Sequence, residues 1–283
     1  MGILDNLKDA AKAKQARVVF PESDDTRVAA AMARLADEGL CVPLPLGDVT
    51  EAQVAVLVNG RGIKEALARR MLGKPLIRAA AMVAAGDADV MVAGADAPTR
   101  RVIEAAGLAI GLAEGVTLPS SFFLMVFPDG RAMIWADCAV NVAPDVDGLA
   151  AIANASAATG RALLGSAKVA LLSYSSGSSG AGDSVDAVRA AAEVTGFNGP
   201  LQADAALNAA IAATKGVTGG DANVLVFPSL DAGNIAYKLA QELAGAQALG
   251  PILQGFARPV CDLSRGARID DIVAATAVTV ALA

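Results

Sequence analysis

The chain contains no histidine, only 4% aromatic residues and just three cysteines. Without imidazole, Ser-His-Asp triads, Cys-His nucleophile pairs and histidine-containing zinc sites are all excluded. Any proton acceptor must then be Asp, Glu, Lys, Tyr or a group on the substrate. Cys41, Cys138 and Cys261 are far apart and odd in number, and no EF-hand loop or comparable carboxylate cluster marks a metal site. Scarce aromatics beside abundant Ala and Gly weigh against a β-sandwich and favour helices packed closely on a sheet.

Positive charge is also in short supply. A formal net charge of −6 argues against a general nucleic-acid surface, which needs clustered Lys and Arg. Long apolar runs are missing too: the final stretch IVAATAVTVALA falls short of the ~20 residues that span a bilayer and is expected to be a buried helix. The opening MGILDNLKDAAKAKQAR is charged from the start and does not read as a signal peptide, so a cytoplasmic protein with no membrane partner is expected.

What is present is enough apolar material, 54% of 283 residues, for one large domain or two ordinary ones. Strand-like runs at 17–21, 89–95, 121–128, 132–138, 168–176 and 223–230 alternate with helical segments at 25–38, 63–85, 99–113, 146–163, 184–195 and 231–246. That rhythm predicts an α/β fold with mainly parallel sheets. One exception, SFFLMVFPDGRAMIWADC, carries Pro-Asp-Gly between two apolar runs and predicts an antiparallel hairpin. A domain boundary is expected within AVNVAPDVDGL (139–149), where a long helix begins.

Several segments combine loop chemistry with a strand end. SYSSGSSGAGDS (173–184) lies between a strand and a helix, where a phosphate loop or a flexible linker fits equally; it is neither a dinucleotide fingerprint nor a Walker A loop. In VAGADAPTRRVIEAAG (92–107), Thr99, Arg100 and Arg101 fall in a helical first turn, where cations oppose the helix dipole unless an anion binds or surface carboxylates pair with them. Ser120 and Ser121 sit at a strand mouth, as phosphate donors or as turn residues. Ser23, Asp24 or Asp25 and, further on, Asp231 are candidate helix caps, and Asn234, Tyr237 and Lys238 share one helix face. In CDLSRGARIDDIV (261–273), Ser264 and Arg265 precede Gly266, and Asp270 is expected to cap the last helix; an ordinary turn with an exposed arginine and an anion site both fit.

The stretches VVFPESDDTRV, GDADVMVAGADAPT, PSSFFLMVFPDGRAMIWADCAVNVAPD, GPLQADAA, ANVLVFPSLDAGNIAYKLAQELAGAQALGPILQGFARPVCDLSRG and DDIV resemble, in order, the phosphate acetyltransferase family within the phosphate acetyl/butyryl transferase group. The likeness is densest between 199 and 273. The resemblance implies reversible conversion of acetyl-CoA and phosphate to CoA and acetyl phosphate, with CoA a substrate, no tightly bound cofactor and no metal. It implies a homodimer of two three-layer αβα domains with an inter-domain active-site cleft: residues 1–146 plus 268–283 in the first domain and 147–267 in the second.

It further implies that Asp271, seven residues after Ser264, is the base for the CoA thiol, a role that requires its basicity to be raised by desolvation. Arg265 would hold phosphate or oppose charge on the carbonyl oxygen, with Ser264 donating to the thiol or that oxygen. Thr99, Arg100, Ser120, Ser121, Asn234, Tyr237 and Lys238 are the expected substrate-binding residues. Three departures stand out: Thr99-Arg100-Arg101 and Glu104 replace a common Thr-Ala-Asp followed by arginine, the glycine-rich loop lacks a lysine, and Arg61 is the nearest counterpart of a family arginine. Transfer of a longer acyl group, propionyl or butyryl, and a non-catalytic regulator that kept the fold are the competing readings; a dehydrogenase would need a dinucleotide fingerprint or a metal-carboxylate cluster, and neither is found.

Overall fold

A computed structural model describes residues 2–283. In chain order the elements are α1 (Ile3–Lys14), β1 (Arg17–Val19), α2 (Thr26–Asp37), β2 (Val42–Leu44), α3 (Glu51–Arg61), α4 (Glu65–Leu72), α5 (Pro75–Ala85), β3 (Val90–Ala93) and α6 (Thr99–Ala109). There follow β4 (Ser120–Val126), β5 (Ala132–Ala136), α7 (Val146–Leu164), β6 (Val169–Leu172), α8 (Asp183–Thr195), β7 (Asn198–Leu201), α9 (Ala203–Leu207), α10 (Ala209–Thr214), β8 (Val224–Val226) and α11 (Leu230–Ala244). The chain closes with β9 (Gln247–Gln254), β10 (Val260–Asp262) and α12 (Ile269–Leu282).

Two compact units result, one running to Val116 and resuming at Leu249–Ala283, the other spanning Thr117–Ala248. These limits differ from those expected from the sequence, 146 and 267. Phe123, Met125, Met133 and Trp135 of the β4–β5 hairpin share a buried cluster with Leu172, Leu201 and Leu225, which draws the hairpin into the second unit.

In the first unit the strand order is β2-β1-β3-β10-β9, parallel except for β9 against β10. The chain passes from β1 outward to β2 and then back across to β3, so right-handed crossovers send α2 to one face and α3–α5 to the other. Accordingly α12 packs with α1 and α2, and α5 with α3 and α6. The helix expected over 63–85 is two helices, because Pro75 lacks an N–H and starts α5 instead of continuing α4.

α12 is apolar around most of its circumference, as a buried helix must be. Ile272, Val273, Val278 and Val280 are fully or almost fully buried, each worth roughly 1.5–3 kcal/mol of transfer free energy. Its two buried hydroxyls are satisfied within the helix, Thr276 donating to the Ile272 carbonyl and Thr279 to that of Ala275, each at 2.7 Å. Anchoring α12 in this way fixes one end of the loop 263–268; β10 fixes the other.

The second unit has the order β4-β5-β8-β6-β7, with β4 and β5 antiparallel and the other pairs parallel. The hairpin expected from Pro-Asp-Gly is present, paired from Phe123↔Trp135 to Val126↔Ala132. Gly233, in the first turn of α11, is the point where that helix presses on the end of β5: a Cβ there would lie 2.5 Å from the Asp137 carbonyl oxygen and 2.9 Å from Cys138 Sγ. Among the described residues no helix is long and apolar enough to cross a membrane.

Candidate functional site

In the first unit, the C-terminal ends of the parallel strands β1, β3 and β10 lie side by side, the edge at which open α/β sheets bind ligands. Each strand end carries a loop with polar groups. After β1, Glu22 accepts from the backbone N–H groups of Ala95, Asp96 and Ala97 at 2.8, 3.1 and 2.7 Å, so its carboxylate shapes the β3–α6 loop. Asp25, one of the three expected caps, is the N-cap of α2 and accepts from the backbone of Arg27 and Val28.

The residue that ties these loops together is Arg27. Its guanidinium donates to the carbonyls of Arg265 at 2.8 Å, Ala267 at 3.1 Å and Ala95 at 3.0 Å, and pairs with Asp25 at 2.7 Å. That ion pair and its hydrogen bonds hold the Asp25 carboxyl below the usual carboxylate range. The arginine after Asp-Thr in VVFPESDDTRV went unassigned in the sequence because its partners are carbonyls some 70 and 240 positions away. Arg27→Met is expected to lower kcat/KM about tenfold and to lower the melting temperature by orphaning these carbonyls. Arg27→Lys should rescue little, since an ammonium cannot reach three loops as a planar fork does. Steady-state kinetics beside thermal melts of both variants measure this.

Ser264 and Arg265 are both exposed on the loop after β10. The Ser264 hydroxyl accepts from Gly266 N–H at 3.3 Å, which orients the side chain while leaving its own hydrogen available. Arg265 is fixed through its backbone carbonyl by Arg27. One sequence expectation at α12 is reversed. Asp270 does not cap the helix; it pairs with Arg34. Asp271 closes the capping box, accepting from Arg268 N at 2.9 Å and from Arg268 Nε at 3.2 Å, because N3 is the position that reaches back to the N-cap. Its side chain is 42% exposed.

Thr99 and Arg100 open α6, whose N-cap is Pro98 and whose first turn carries no carboxylate. Thr99 is half-buried, whereas Arg100 is 89% exposed and pairs with Glu104 at 2.8 Å, an i,i+4 surface pair. Arg101 lines a cavity of about 680 Å³ with Lys74, Glu104, Ile77 and Leu108. Arg61 donates to the carbonyls of Leu108 at 2.7 Å and Gly107 at 2.6 Å, which makes it a charge at the C-terminus of α6 and explains that residue structurally.

Directly below the Ser264–Arg265 loop is Asp262, the last residue of β10. It is 0% exposed, and neither carboxylate oxygen has a hydrogen-bond partner of full geometry. Gly94, at φ +99°, makes this packing possible: a Cβ there would lie 2.5 Å from Asp262 Oδ1 and 2.7 Å from the backbone nitrogen of Leu263. Burial pushes the Asp262 carboxyl up to about 7, against a hydrogen-bond contribution from Thr99 and with repulsion from Glu22.

The folded state therefore binds more protons than the unfolded chain between about pH 4 and pH 7, and stability falls as pH rises through that window, by on the order of 4 kcal/mol from this group. Asp262→Asn should abolish that slope. Denaturant melts at about pH 4 and about pH 8 are expected to show the variant gaining on the wild type as pH rises.

In the second unit, Asp137 follows β5 and organises a loop. Its carboxylate accepts from the Ser121 hydroxyl, from Ala139, Val140 and Asn141 N–H groups at 3.0, 3.2 and 3.0 Å, and from Asn141 Nδ2 at 2.6 Å. Ser121, expected to face substrate, is completely buried and gives its hydrogen to Asp137; Ser120 is buried too. On α11 the expected face exists, but its groups are in use. Asn234 Nδ2 donates to the Cys138 carbonyl at 3.1 Å, the Tyr237 ring stacks on Phe123 at 4.3 Å between centroids, and Lys238 Nζ lies 4.9 Å from the Tyr237 centroid. The cap of α11 is Ser229, not the expected Asp231, since its hydroxyl accepts from Ala232 N.

The serine- and glycine-rich loop is internally bonded. Ser175 and Ser179 hydroxyls meet at 3.1 Å, Ser179 Oγ also accepts from Ser176 N at 3.0 Å, and Tyr174 donates to the Ala181 carbonyl at 2.8 Å. The first turn of α8 holds Asp183 and Asp186, which already supply the negative charge that a helix N-terminus favours. All three cysteines are free and buried, and burial pushes the Cys41 and Cys261 thiols up to about 12 and that of Cys138 upward as well. None is poised as a thiolate nucleophile. Among the described residues no cluster of three or more metal-ligating side chains occurs.

Comparison with known proteins adds an independent line. A family model described as phosphate acetyl/butaryl transferase matches residues 2–60 and 51–280. The chain is 40% identical over 310 residues to a phosphate acetyltransferase of Paracoccus denitrificans, covering 98% of each. Among solved structures, the EutD phosphotransacetylase of Staphylococcus aureus superposes with a TM-score of 0.89 at 33% identity, over 99% of this chain and 98% of that one. A phosphotransacetylase of Streptococcus pyogenes gives 0.90 at 32%, over 99% and 97%. The chain belongs to the phosphate acetyl/butyryl transferase family.

Proposed function

We propose that Arg265, Ser264 and Asp271 carry out the reversible transfer of acetyl between CoA and inorganic phosphate. CoA and acetyl phosphate are substrates, and the transfer is direct. The CoA sulfur attacks the acetyl carbonyl carbon, a C–S bond forms, and the C–O bond to phosphate breaks. Phosphate departs with the bonding pair. The observation that carries this reading is the Ser264–Arg265 loop, exposed at the C-terminal end of a parallel strand and held through its backbone by Arg27. Burial of every cysteine supports attack by the CoA thiol itself over an acyl-cysteine route.

In this scheme Arg265 opposes the negative charge on the carbonyl oxygen and the departing phosphate, and Ser264 supplies a hydroxyl hydrogen to the same region. Asp271 takes the thiol proton; to do so it exchanges the Arg268 guanidinium for the incoming thiol, while the Arg268 backbone N–H keeps the helix capped. Thr99 and the N-terminus of α6 receive the phosphoryl oxygens, with Arg100 free to leave its exposed pair with Glu104. Ser121 and Asn234 act through the Asp137 loop that they brace, and Tyr237 and Lys238 offer a ring and a charge to CoA.

CoA-dependent acyl phosphate formation from acetyl, propionyl and butyryl donors, with phosphate and arsenate as acceptors, tests the reaction and its acyl range. Turnover with none of them would sink the enzyme reading. A homodimer is part of the same proposal. Ile235, Leu239 and Leu243, spaced by four on α11, are 57%, 52% and 81% exposed, a stripe suited to a second copy. Sedimentation velocity returning a monomer at micromolar concentration would remove that part.

A further inference from the structure

We propose that Asp262 is a positioning residue whose protonation state decides whether the Thr99 hydroxyl donates its hydrogen inward or to a bound phosphoryl oxygen. The inference rests on the reading that Thr99 and the α6 N-terminus hold the phosphoryl group. Its geometric basis is a completely buried carboxylate at the end of β10 whose two oxygens lack a well-formed hydrogen bond, with the Thr99 hydroxyl the side-chain donor that bears on it. A glycine at positive φ keeps the space above it clear of side chain. The strand end it occupies is one residue from the loop that carries Ser264 and Arg265.

The chemistry follows from donor counts. A hydroxyl has one hydrogen and two lone pairs, and an ionised carboxylate only accepts. With Asp262 ionised, the Thr99 hydrogen turns to the carboxylate and Thr99 faces an anion with lone pairs. With Asp262 protonated, the carboxylic acid donates to Thr99 Oγ1 and the Thr99 hydrogen is released toward the anion. Binding an oxyanion at α6 thus draws one proton onto Asp262. The charged or titratable groups bearing on Asp262 are Glu22 from the loop after β1 and Cys261 on its own strand; α6 presents Thr99, which is uncharged. Burial and Glu22 both favour the neutral carboxyl, whose titration near 7 places the switch in the neutral range.

Sulfate is the probe of choice, because it keeps its charge where phosphate itself titrates. Calorimetric titration of the whole protein with sulfate at about pH 6 and about pH 8 is expected to show roughly tenfold weaker binding at the higher pH, the loss of one hydrogen bond to a charged group. Near pH 7 the observed enthalpy should change with buffer ionisation heat, reporting uptake of a proton. Asp262→Asn, whose amide can donate to Thr99 at every pH, should bind sulfate equally at both. Thr99→Ser should retain the pH dependence, and Thr99→Val should bind weakly throughout.

Wild-type binding that does not vary between the two pH values, or an Asp262→Asn variant with the wild-type dependence, would overturn the proposal. Thr99→Val binding as tightly as wild type at the lower pH would instead overturn the underlying assignment of Thr99. Should Asp262→Asn fail to fold, the wild-type profile, the buffer dependence and Thr99→Ser still decide.

Discussion

Arg265→Ala is expected to lower kcat by about 10²–10³-fold, the usual cost of removing one preorganised donor to a developing oxyanion. The side chain is exposed and its backbone carbonyl, which the substitution keeps, is what Arg27 grips, so the fold should stay within about 0.5 kcal/mol of wild type. A fall in kcat with little change in KM assigns the charge to the transition state; a rise in KM for acetyl phosphate alone assigns it to ground-state binding. Arg265→Lys should recover little of the loss, because the planar fork is replaced by a point charge. A kcat within threefold of wild type in both directions of the reaction would remove Arg265 from the chemistry.

The second large effect belongs to Asp271→Asn. A positioned general base contributes about 10²–10⁴-fold, so kcat should drop by that order at neutral pH. The deficit should then shrink as pH rises toward about 8.5, where the free thiol ionises without help. Asn retains an oxygen that can accept from Arg268 N–H, so the capping box survives and stability is expected to change by less than about 1 kcal/mol. Asp271→Ala loses cap and base together. Comparing the two by thermal melts and pH–rate profiles separates the helical role from the chemical one. An Asn variant with wild-type kcat from about pH 6 to pH 9 would leave Asp271 as a cap alone.

Elements with uninterrupted patterns are legible in the sequence alone. β1, β3, β5, β6 and β8 fall inside the expected runs, β4 starts one residue before its own, and the hairpin at Pro128-Asp129-Gly130 has the register that a short turn enforces. β2, β7 and β9 were not foreseen, and all three contain a proline, Pro43, Pro200 and Pro251, which breaks the apolar pattern that marks a strand. β10 has three residues and ends on an aspartate. Its strand character comes from pairing with β3 and β9, partners about 170 residues before it and a few residues before it.

By itself the sequence determined the fold class, the exclusion of imidazole, the buried terminal helix and the resemblance resting on motifs such as DLSRG and DDIV, because these depend on composition, local periodicity and short-range order. Only the tertiary structure decided which carboxylate does what. Asp271 and not Asp270 reaches back to the helix start, because N3 geometry and not adjacency selects it. Arg61 became a helix terminus charge, Ser121 a brace for Asp137, and Arg27 the clamp on the Arg265 loop. The aspartate read in the sequence as one letter before LSRG proved to be an unpartnered buried acid, a property set by burial and by the residues that long-range folding brings to it.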